Sequence, residues 1–238
     1  AYVWGRAAAL GEPEPGLVVS SFAVFEPSMI TSAYEEGRRA CGRTELLETR
    51  TDSTIESLTR TLDGADVSGV ADALERAVTA ADVTGRPLFG GLSSRAWPSN
   101  PVGRLWHACE LAREHRGDSH VAVCVERGLG PIEMNVLTEL WEGMPLGAYT
   151  STRGWSQDQI AQSVAGLQAA GLMDGEDLTA DGRQMRDEIE AATDRLEQPI
   201  VDALEPDASA IIRRLDQWSQ RCIDAKTFPP NVFKRAAG

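Results

Sequence analysis

The residues best suited to chemistry in this 238-residue chain lie close together, between positions 106 and 120. This histidine stretch (residues 106–120) contains all three histidines of the sequence, His107, His115 and His120. An unperturbed imidazole gains or loses a proton near neutral pH and is a common ligand of transition metals. Charged and aromatic side chains accompany the histidines: Trp106, Glu114, Arg116 and Asp118. The histidine stretch is therefore the candidate site.

Two of three interpretations of the histidine stretch involve no reaction. In the first, the residues are structural: Asp118 caps a helix, Arg116 pairs with a carboxylate, and the histidines bridge neighbouring helices. In the second, Arg116 and the histidines orient a polar or anionic group of a small molecule, while Trp106 or Trp97 forms an apolar wall.

The third interpretation is catalysis or metal binding by His107, His115 or His120. One of them would act as a general acid or base, or a helix would present histidine and glutamate together to a metal. However, His107 and His115 are about 12 Å apart along one helix, so the two cannot share an ion without further folding. The HExxH pattern of zinc peptidases is also absent from the sequence. We expect no metal and no cofactor.

Local signals predict that two helices meet inside the histidine stretch. The first helix covers about 101–116, with Pro101 in its first turn. Gly117 is of the residue type that ends helices, and Asp118 is of the type that caps a following helix, here over 119–127. Three residues spaced i, i+3 and i+7 share one face of the first helix: His107, Glu110 and Glu114.

Apolar spacing predicts helices in most of the remaining chain, so the predicted fold class is mainly α. The predicted helices cover residues 2–10, 28–40, 44–62, 67–83, 88–95, 131–142 and 156–171, a long stretch after 182, and 207–225. Residues 17–25 fit a helix or an irregular segment, and 173–179 fit a short β-hairpin turning at Asp174 and Gly175. We predict a helical region over 1–130 that carries the histidine stretch and packs on a second region over 131–238.

The second region resembles the winged helix-turn-helix of MarR-type regulators. The order is helix, loop, helix, short wing and long helix, and the sequence LTADGR follows the wing at 178–183. The resemblance covers about 131–205. It implies a dimer in which the helix over 156–171 lies in the major groove of DNA.

The charges of this region argue against DNA binding. A helix that reads DNA needs arginine or lysine for phosphates and base edges, yet residues 156–182 contain neither. The whole chain has a formal net charge of −13. Acidic residues dominate the wing and the helix after it: Asp174, Glu176, Asp177, Asp181, Asp187, Glu188, Glu190 and Asp194. We therefore do not expect nucleic acid to be a partner.

Five further motifs together resemble an actinobacterial helix-turn-helix-related family along nearly the whole chain. They are GRAAALG at 5–11, FAVFEP at 22–27, LWH at 105–107, REHRGDSH at 113–120 and RGW at 153–155. The resemblance implies an all-helical front half joined to a MarR-like rear half, with Trp4, Phe22 and Phe25 near a pocket. It also implies one site made of Arg6, His107, Glu114, His115, Arg116, Asp118 and His120.

Composition limits the cellular setting. The four cysteines are far apart and form no CxxC pair, which fits a reducing cytoplasm better than a disulfide scaffold. No apolar run approaches the ~20 residues of a membrane helix. We therefore expect a cytoplasmic protein with no membrane partner.

The function predicted from these features is small-molecule binding on a degenerate winged-helix scaffold. The ligand would carry a polar or anionic group held by Arg116 and the histidines. A ligand-responsive MarR-like transcriptional regulator is one alternative. An enzyme of small-molecule metabolism, such as that of natural products, is another, with acid/base or metal chemistry at the three histidines. The last helix is a candidate surface for a homodimer.

Overall fold

The computed structural model describes residues 2–228, and nearly all of its secondary structure is helical, which confirms the mainly α fold class. The helices are α1 (Tyr2–Ala7), α2 (Pro15–Phe22), α3 (Pro27–Ala40), α4 (Arg43–Leu62), α5 (Ser68–Thr79), α6 (Pro87–Ser93), α7 (Pro101–Glu126), α8 (Pro131–Trp141), α9 (Gln157–Ala169), α10 (Ala180–Asp202) and α11 (Ala208–Asp224). Short 3-10 helices lie at Ala8–Leu10 and Thr150–Arg153. None of the described helices is long and apolar enough to cross a membrane.

Local sequence signals explain where several helices begin. The Asn100 side chain accepts hydrogen bonds from the backbone N–H groups of Val102 and Gly103, and Pro101 occupies the first helical position of α7. Ser156 and Gln159 form a reciprocal capping box at the start of α9. Pro101 is the signal from which the start of α7 was predicted.

The predicted helix break at Gly117 is wrong, because α7 continues from Pro101 to Glu126. A glycine inside a helix costs only about 1 kcal/mol relative to alanine. Residues on both sides of Gly117 are buried, and α7 packs against α4, α5, α6 and α10. Tertiary packing therefore outweighs the local stop signal. Asp118 caps no following helix; its carboxylate instead accepts a hydrogen bond of 3.0 Å from Phe89 N, near the start of α6.

Residues 17–25 form the end of α2 and a tight turn, so the helical option for this segment is confirmed as far as Phe22. Ala23 has a φ of 44°, a strained backbone conformation for a residue with a side chain. The next carbonyl, that of Val24, accepts hydrogen bonds from Asn135 Nδ2 (2.8 Å) and Trp155 Nε1 (2.9 Å). This carbonyl bridge at Val24 ties the α2–α3 turn to α8 and the loop before α9.

The predicted β-hairpin is present, with its turn one residue later than expected. Strands β1 (Met173–Asp174) and β2 (Asp177–Leu178) are antiparallel, and Met173 pairs with Leu178. The turn residues are therefore Gly175 and Glu176. The order α8, α9, hairpin, α10 follows the predicted order of the second region; its MarR type stays a prediction.

Three apolar clusters surround the polar face of α7. One lies among α1, α2 and α3, and another joins α8, α9 and the hairpin to Ile189 of α10. The third combines α5, α6 and α7 with Ile200, Ile211 and Trp218 from the end of the chain. The division at residue 130 stays a prediction, and the third cluster contains residues from both sides of it.

Candidate functional site

Helix α7 carries a line of buried ionisable side chains, which contact residues of several surrounding helices. Burying a polar or charged group is costly unless it finds a partner, and most of these groups have one. The buried residues are His107, Glu110, Glu114, His115 and Asp118. Arg50 of α4 pairs with Glu110. The helix therefore depends on surrounding helices for its charge balance.

Glu114 forms the best-defined ion pair, with Arg6 of α1. Arg6 Nε and Nη2 donate to the two carboxylate oxygens at 2.8 and 2.7 Å, and Arg113 Nη2 donates at 2.7 Å. Burial alone would raise the pKa of Glu114, but the hydrogen bond and charge of Arg6, with Arg113 and Arg50 nearby, hold that pKa below its usual value. Burial likewise opposes the charge of Arg6, yet Glu114 raises the Arg6 pKa above its ordinary value. The pair is charged and geometrically fixed.

Asp118 lies one turn further along α7, in a different electrostatic setting. Burial, followed by the nearby Glu114 charge, raises the pKa of Asp118 to about 6, although the Phe89 N–H and Arg6 act in the opposite direction. Asp118 is therefore a carboxyl group that changes charge near physiological pH.

His115, Arg116 and His120 attach α7 to α10. His115 Nδ1 lies 2.8 Å from Glu197, and its ring meets the edge of Phe89. Arg116 of α7 pairs with Glu190 of α10. His120 Nδ1 lies 3.2 Å from Thr193 Oγ1. Burial, with the Arg186 and Arg116 charges, lowers the pKa of His120 to about 4, so its imidazole is neutral at pH 7.

His107 and Trp106 lie away from the other predicted site residues. The His107 ring packs edge-on against Trp97 at 4.7 Å, and Trp106 lies beneath the guanidinium of Arg50. Thirteen residues of continuous helix place His107 about 20 Å from His120 along the axis. The predicted grouping of His107 and His120 in one site is therefore wrong, because α7 does not turn back at Gly117.

A cavity of about 280 Å³ lies where α1, α2, α7, α8 and α10 meet. Four of the predicted site residues line it: Arg6, Arg116, Asp118 and His120. Glu114 lies behind Arg6, and His115, Trp106 and His107 do not line the cavity. Among residues 2–228, no group of three or more His, Cys, Asp or Glu side chains is arranged to hold a metal ion.

The remaining cavity wall is aromatic, and only part of it was expected. Phe22 and Phe25 line the cavity, as their motif implied, whereas Trp4 is buried against Tyr34. Tyr2 and Tyr149 complete the aromatic wall. Since these residues are far apart in sequence, only the folded chain shows that they share a surface.

Arg153 lines the cavity but was not among the predicted site residues. Its guanidinium carbon lies 4.1 Å from the ring centre of Tyr149 and 4.9 Å from that of Phe25. Its Nη1 donates to Thr152 Oγ1 at 3.2 Å, and its buried Nε has no hydrogen-bond partner in the part of the chain that the structure describes. The RGW motif at 153–155 was the available signal.

The backbone around Arg153 is held firmly. Buried Glu139 of α8 accepts hydrogen bonds from the N–H groups of Gly147, Tyr149 and Thr150 at 2.7–2.9 Å. Gly154 has a φ of 91°, and a Cβ there would lie 2.7 Å from Met29 Sδ, so the site requires glycine. These contacts fix the backbone from which the Arg153 side chain extends.

Comparison with known proteins identifies a family for almost the entire chain. A model described as "Helix-turn-helix family" matches residues 1–229. No curated protein and no solved structure matches the chain. The resemblance to a helix-turn-helix-related family is thereby confirmed, whereas its MarR type and actinobacterial affiliation stay predictions. The chain belongs to a helix-turn-helix family, and its scaffold is of the DNA-binding type.

Proposed function

We propose that this protein binds a small organic molecule with an anionic group in the cavity beside Arg153. The observation that carries the proposal is the Arg153 guanidinium, which lines the cavity and has no carboxylate within 4.0 Å among residues 2–228. A partly buried cation with an unbonded N–H is costly unless a ligand supplies the missing negative charge.

The other cavity cations already have protein partners, which makes Arg153 distinctive. Arg6 and Arg113 pair with Glu114, and Arg116 and Arg186 pair with Glu190. An entering anion would have to compete with those carboxylates at the paired arginines, but meets no such competition at Arg153.

The aromatic wall indicates the rest of the ligand. Parts of the Phe22, Phe25 and Tyr149 rings line the cavity beside the charged group, and pockets lined by aromatic side chains with a few polar groups suit ligands with an apolar body. The volume is close to the lower end of the range for ligand pockets, about 300 Å³. A small aromatic or cyclic carboxylate matches these features.

A thermal-shift and calorimetric screen tests the proposal with a panel of aromatic carboxylates, each paired with its uncharged amide. We expect at least one carboxylate, for example 4-hydroxybenzoate, to raise the unfolding midpoint while its amide does not, because only the charged form pairs with Arg153. Arg153→Gln should weaken that binding by about tenfold or more.

Arg60→Gln is the matched control, since Arg60 is an exposed arginine on α4 far from the cavity lining. The proposal fails if no carboxylate in the panel stabilises the protein, if the amides bind as well as the acids, or if the control variant loses affinity to the same extent as Arg153→Gln.

We further propose that α9 does not read DNA in the usual manner of its family. Its solvent-facing side consists of glutamine, alanine, glycine and one aspartate. Arg186 of α10 is buried, pairs with Glu190 and lies over Trp141, so it is not available to phosphates. This charge distribution supports a scaffold that does not contact DNA through α9.

A ligand-responsive regulator is the second candidate, and two observations favour it. The chain belongs to a helix-turn-helix family, and Met134, Asn135 and Thr138 of α8, the helix before α9, line the cavity. A ligand touching α8 could change the position of α9. This candidate requires a basic surface contributed by a second copy of the chain, and the DNA-binding experiment in the Discussion tests it.

A further inference from the structure

We propose that a second groove, on the opposite end of α7 from the cavity, binds the phosphate group of a small phosphorylated molecule. The groove has a volume of about 540 Å³ and lies between α4, the α6–α7 connection and the first half of α7. The residues that matter to the proposal are Arg43, Thr51, Arg95, Trp106 and His107. None of them lines the cavity beside Arg153, so the two proposals are independent.

His107 supplies the first observation. Its side chain lines the groove and is only 2% exposed, yet its Nε2 atom has no hydrogen-bond partner among the described residues. A buried, unbonded polar atom loses the hydrogen bonds that water would have supplied. An acceptor oxygen bound in the groove would satisfy the Nε2–H tautomer of this imidazole.

Arg95 supplies a second, independent observation. No carboxylate lies within salt-bridge distance of the Arg95 side chain in residues 2–228, and the only hydrogen bond of its guanidinium there is a long one, 3.5 Å from Nη2 to Thr51 Oγ1. Arg43, at the start of α4, donates to the Ala8 carbonyl rather than to an acid. Two guanidinium groups therefore line the groove without an acidic partner.

Neighbouring arginines act on both His107 and Arg95 at the buried end of the groove. Burial, and then the Arg95 and Arg50 charges, lower the pKa of His107 to about 4. The pKa of Arg95 is also lowered, first by burial and then by Arg50 and Arg43, with Glu110 opposing them. Glu110 is itself bound to Arg50. A bound anion would offset this excess of positive charge.

Two acidic residues limit where the anion can lie. Glu48 and Asp52 of α4 also line the groove, and both are exposed. His107, in contrast, is buried. We therefore place the phosphate at the buried end, between Arg95 and His107, and the organic part of the ligand toward the outside.

The donors at the buried end suit phosphate better than carboxylate. Arg95 can donate two parallel hydrogen bonds, and the His107 imidazole and the Thr51 hydroxyl add further donors, which matches the three free oxygens of a phosphate monoester. The exposed part of the Trp106 ring lines the same groove and offers a flat surface for a planar organic group.

Calorimetric titration of the full chain with inorganic phosphate, AMP and adenosine tests the inference. We expect inorganic phosphate and AMP to bind and adenosine to bind at least about tenfold more weakly than AMP, because the phosphate makes the charged contacts. Arg95→Gln should weaken phosphate and AMP binding by about tenfold or more. His107→Phe should weaken it as well while keeping the edge-on contact with Trp97.

Two variants act as controls, and the outcomes are separable. Arg153→Gln, in the cavity, and Arg60→Gln, on the exposed side of α4, should leave phosphate affinity unchanged. The inference is overturned if phosphate and AMP do not bind, if adenosine binds as tightly as AMP, or if Arg153→Gln removes phosphate binding, since the phosphate would then occupy the cavity. If the His107→Phe variant does not fold, the Arg95→Gln variant tests the inference by itself, because the Arg95 side chain is partly exposed.

Discussion

Glu114 pairs with two arginines beside the cavity, as Glu190 also does. Its two oxygens accept from Arg6 and Arg113, and the Arg6 side chain is 17% exposed against 5% for Glu114. The Arg6 guanidinium also lies 4.8 Å from the ring centre of Phe22. Glu114 therefore keeps Arg6 in place on the cavity wall without touching the cavity itself.

Removing this carboxylate should be costly. We expect Glu114→Gln to lower the free energy of unfolding at pH 7 by about 3 kcal/mol, because Arg6 is left largely buried without its anion. Since the pKa of Glu114 is held below the usual value, its contribution is present at neutral pH. It is lost as the pH falls through that lowered pKa. The difference between wild type and variant should therefore shrink in acid.

Urea unfolding monitored by circular dichroism at several pH values measures this effect. Glu56→Gln is the control, since Glu56 pairs with Arg60 on the surface, where both side chains are at least 71% exposed, and such pairs contribute little. Equal losses in the two variants, or a loss at Glu114 that grows in acid, would contradict the expectation.

At the scale of the helix, α7 is continuous from Pro101 to Glu126 and lines both the cavity and the groove. The cavity side carries Gly117 and Asp118, and the groove side carries His107. Both sides depend on packing against α4, α6 and α10 for their geometry. Alanine substitutions at the two glycines of α7, Gly103 and Gly117, test that packing.

The two glycines should respond to alanine in opposite ways. A Cβ at Gly117 would meet only Arg6 Nη2, at 4.0 Å. Gly117→Ala should therefore stabilise the protein by about 0.5–1 kcal/mol through helix propensity. A Cβ at Gly103 would lie 2.8 Å from both Ile55 Cδ1 and Pro98 Cβ. Gly103→Ala should therefore destabilise it, by about 1–3 kcal/mol.

Thermal and urea unfolding of the two variants, compared with wild type, measure these changes. If Gly117→Ala were as destabilising as Gly103→Ala, the result would contradict a continuous α7 at Gly117 and would favour the predicted helix break.

The same helix shows what could be learned from the sequence and what could not. The start of α7 is encoded locally, by the Asn100 cap and Pro101, and was predicted. Its continuation past Gly117 is not, because the contacts that outweigh the stop signal come from α6 and α10, which are distant in sequence. The order of elements was therefore predictable, whereas the three-dimensional grouping of the histidines was not.

Over the whole molecule, acidic residues outnumber basic residues. The chain has 36 acidic and 23 basic residues, and several arginines are taken up by buried or partly buried pairs. The cavity joins residues from Tyr2 to Glu190, and therefore no short motif could have revealed all of it. Arg116, Asp118 and His120 were predicted from the histidine stretch, and Arg6 was added by the resemblance to a family; Arg153 belonged to the RGW motif but was not predicted as a site residue.

This charge distribution predicts weak affinity for DNA. Contacts of lysine and arginine with phosphates release counterions and supply most of the non-specific affinity for DNA, and α9 with the hairpin provides no arginine or lysine. We expect no retardation of a 30-base-pair random-sequence duplex in a gel at about 100 mM salt, even at micromolar protein. Retardation that weakens steeply as salt increases would contradict this expectation and favour the regulator, with a basic surface formed between two copies.

The carbonyl bridge at Val24 has a consequence for how this scaffold can be reused. Asn135 and Trp155 both donate to a backbone atom that belongs to the first thirty residues. The segment from α8 to α10 therefore depends on the front of the chain for this hydrogen-bond acceptor. Grafted onto another protein, it would bring two donors without their acceptor and would lack the Tyr2, Phe22 and Phe25 side of the cavity. Relatives that preserve a pocket of this kind must therefore inherit both parts of the chain together.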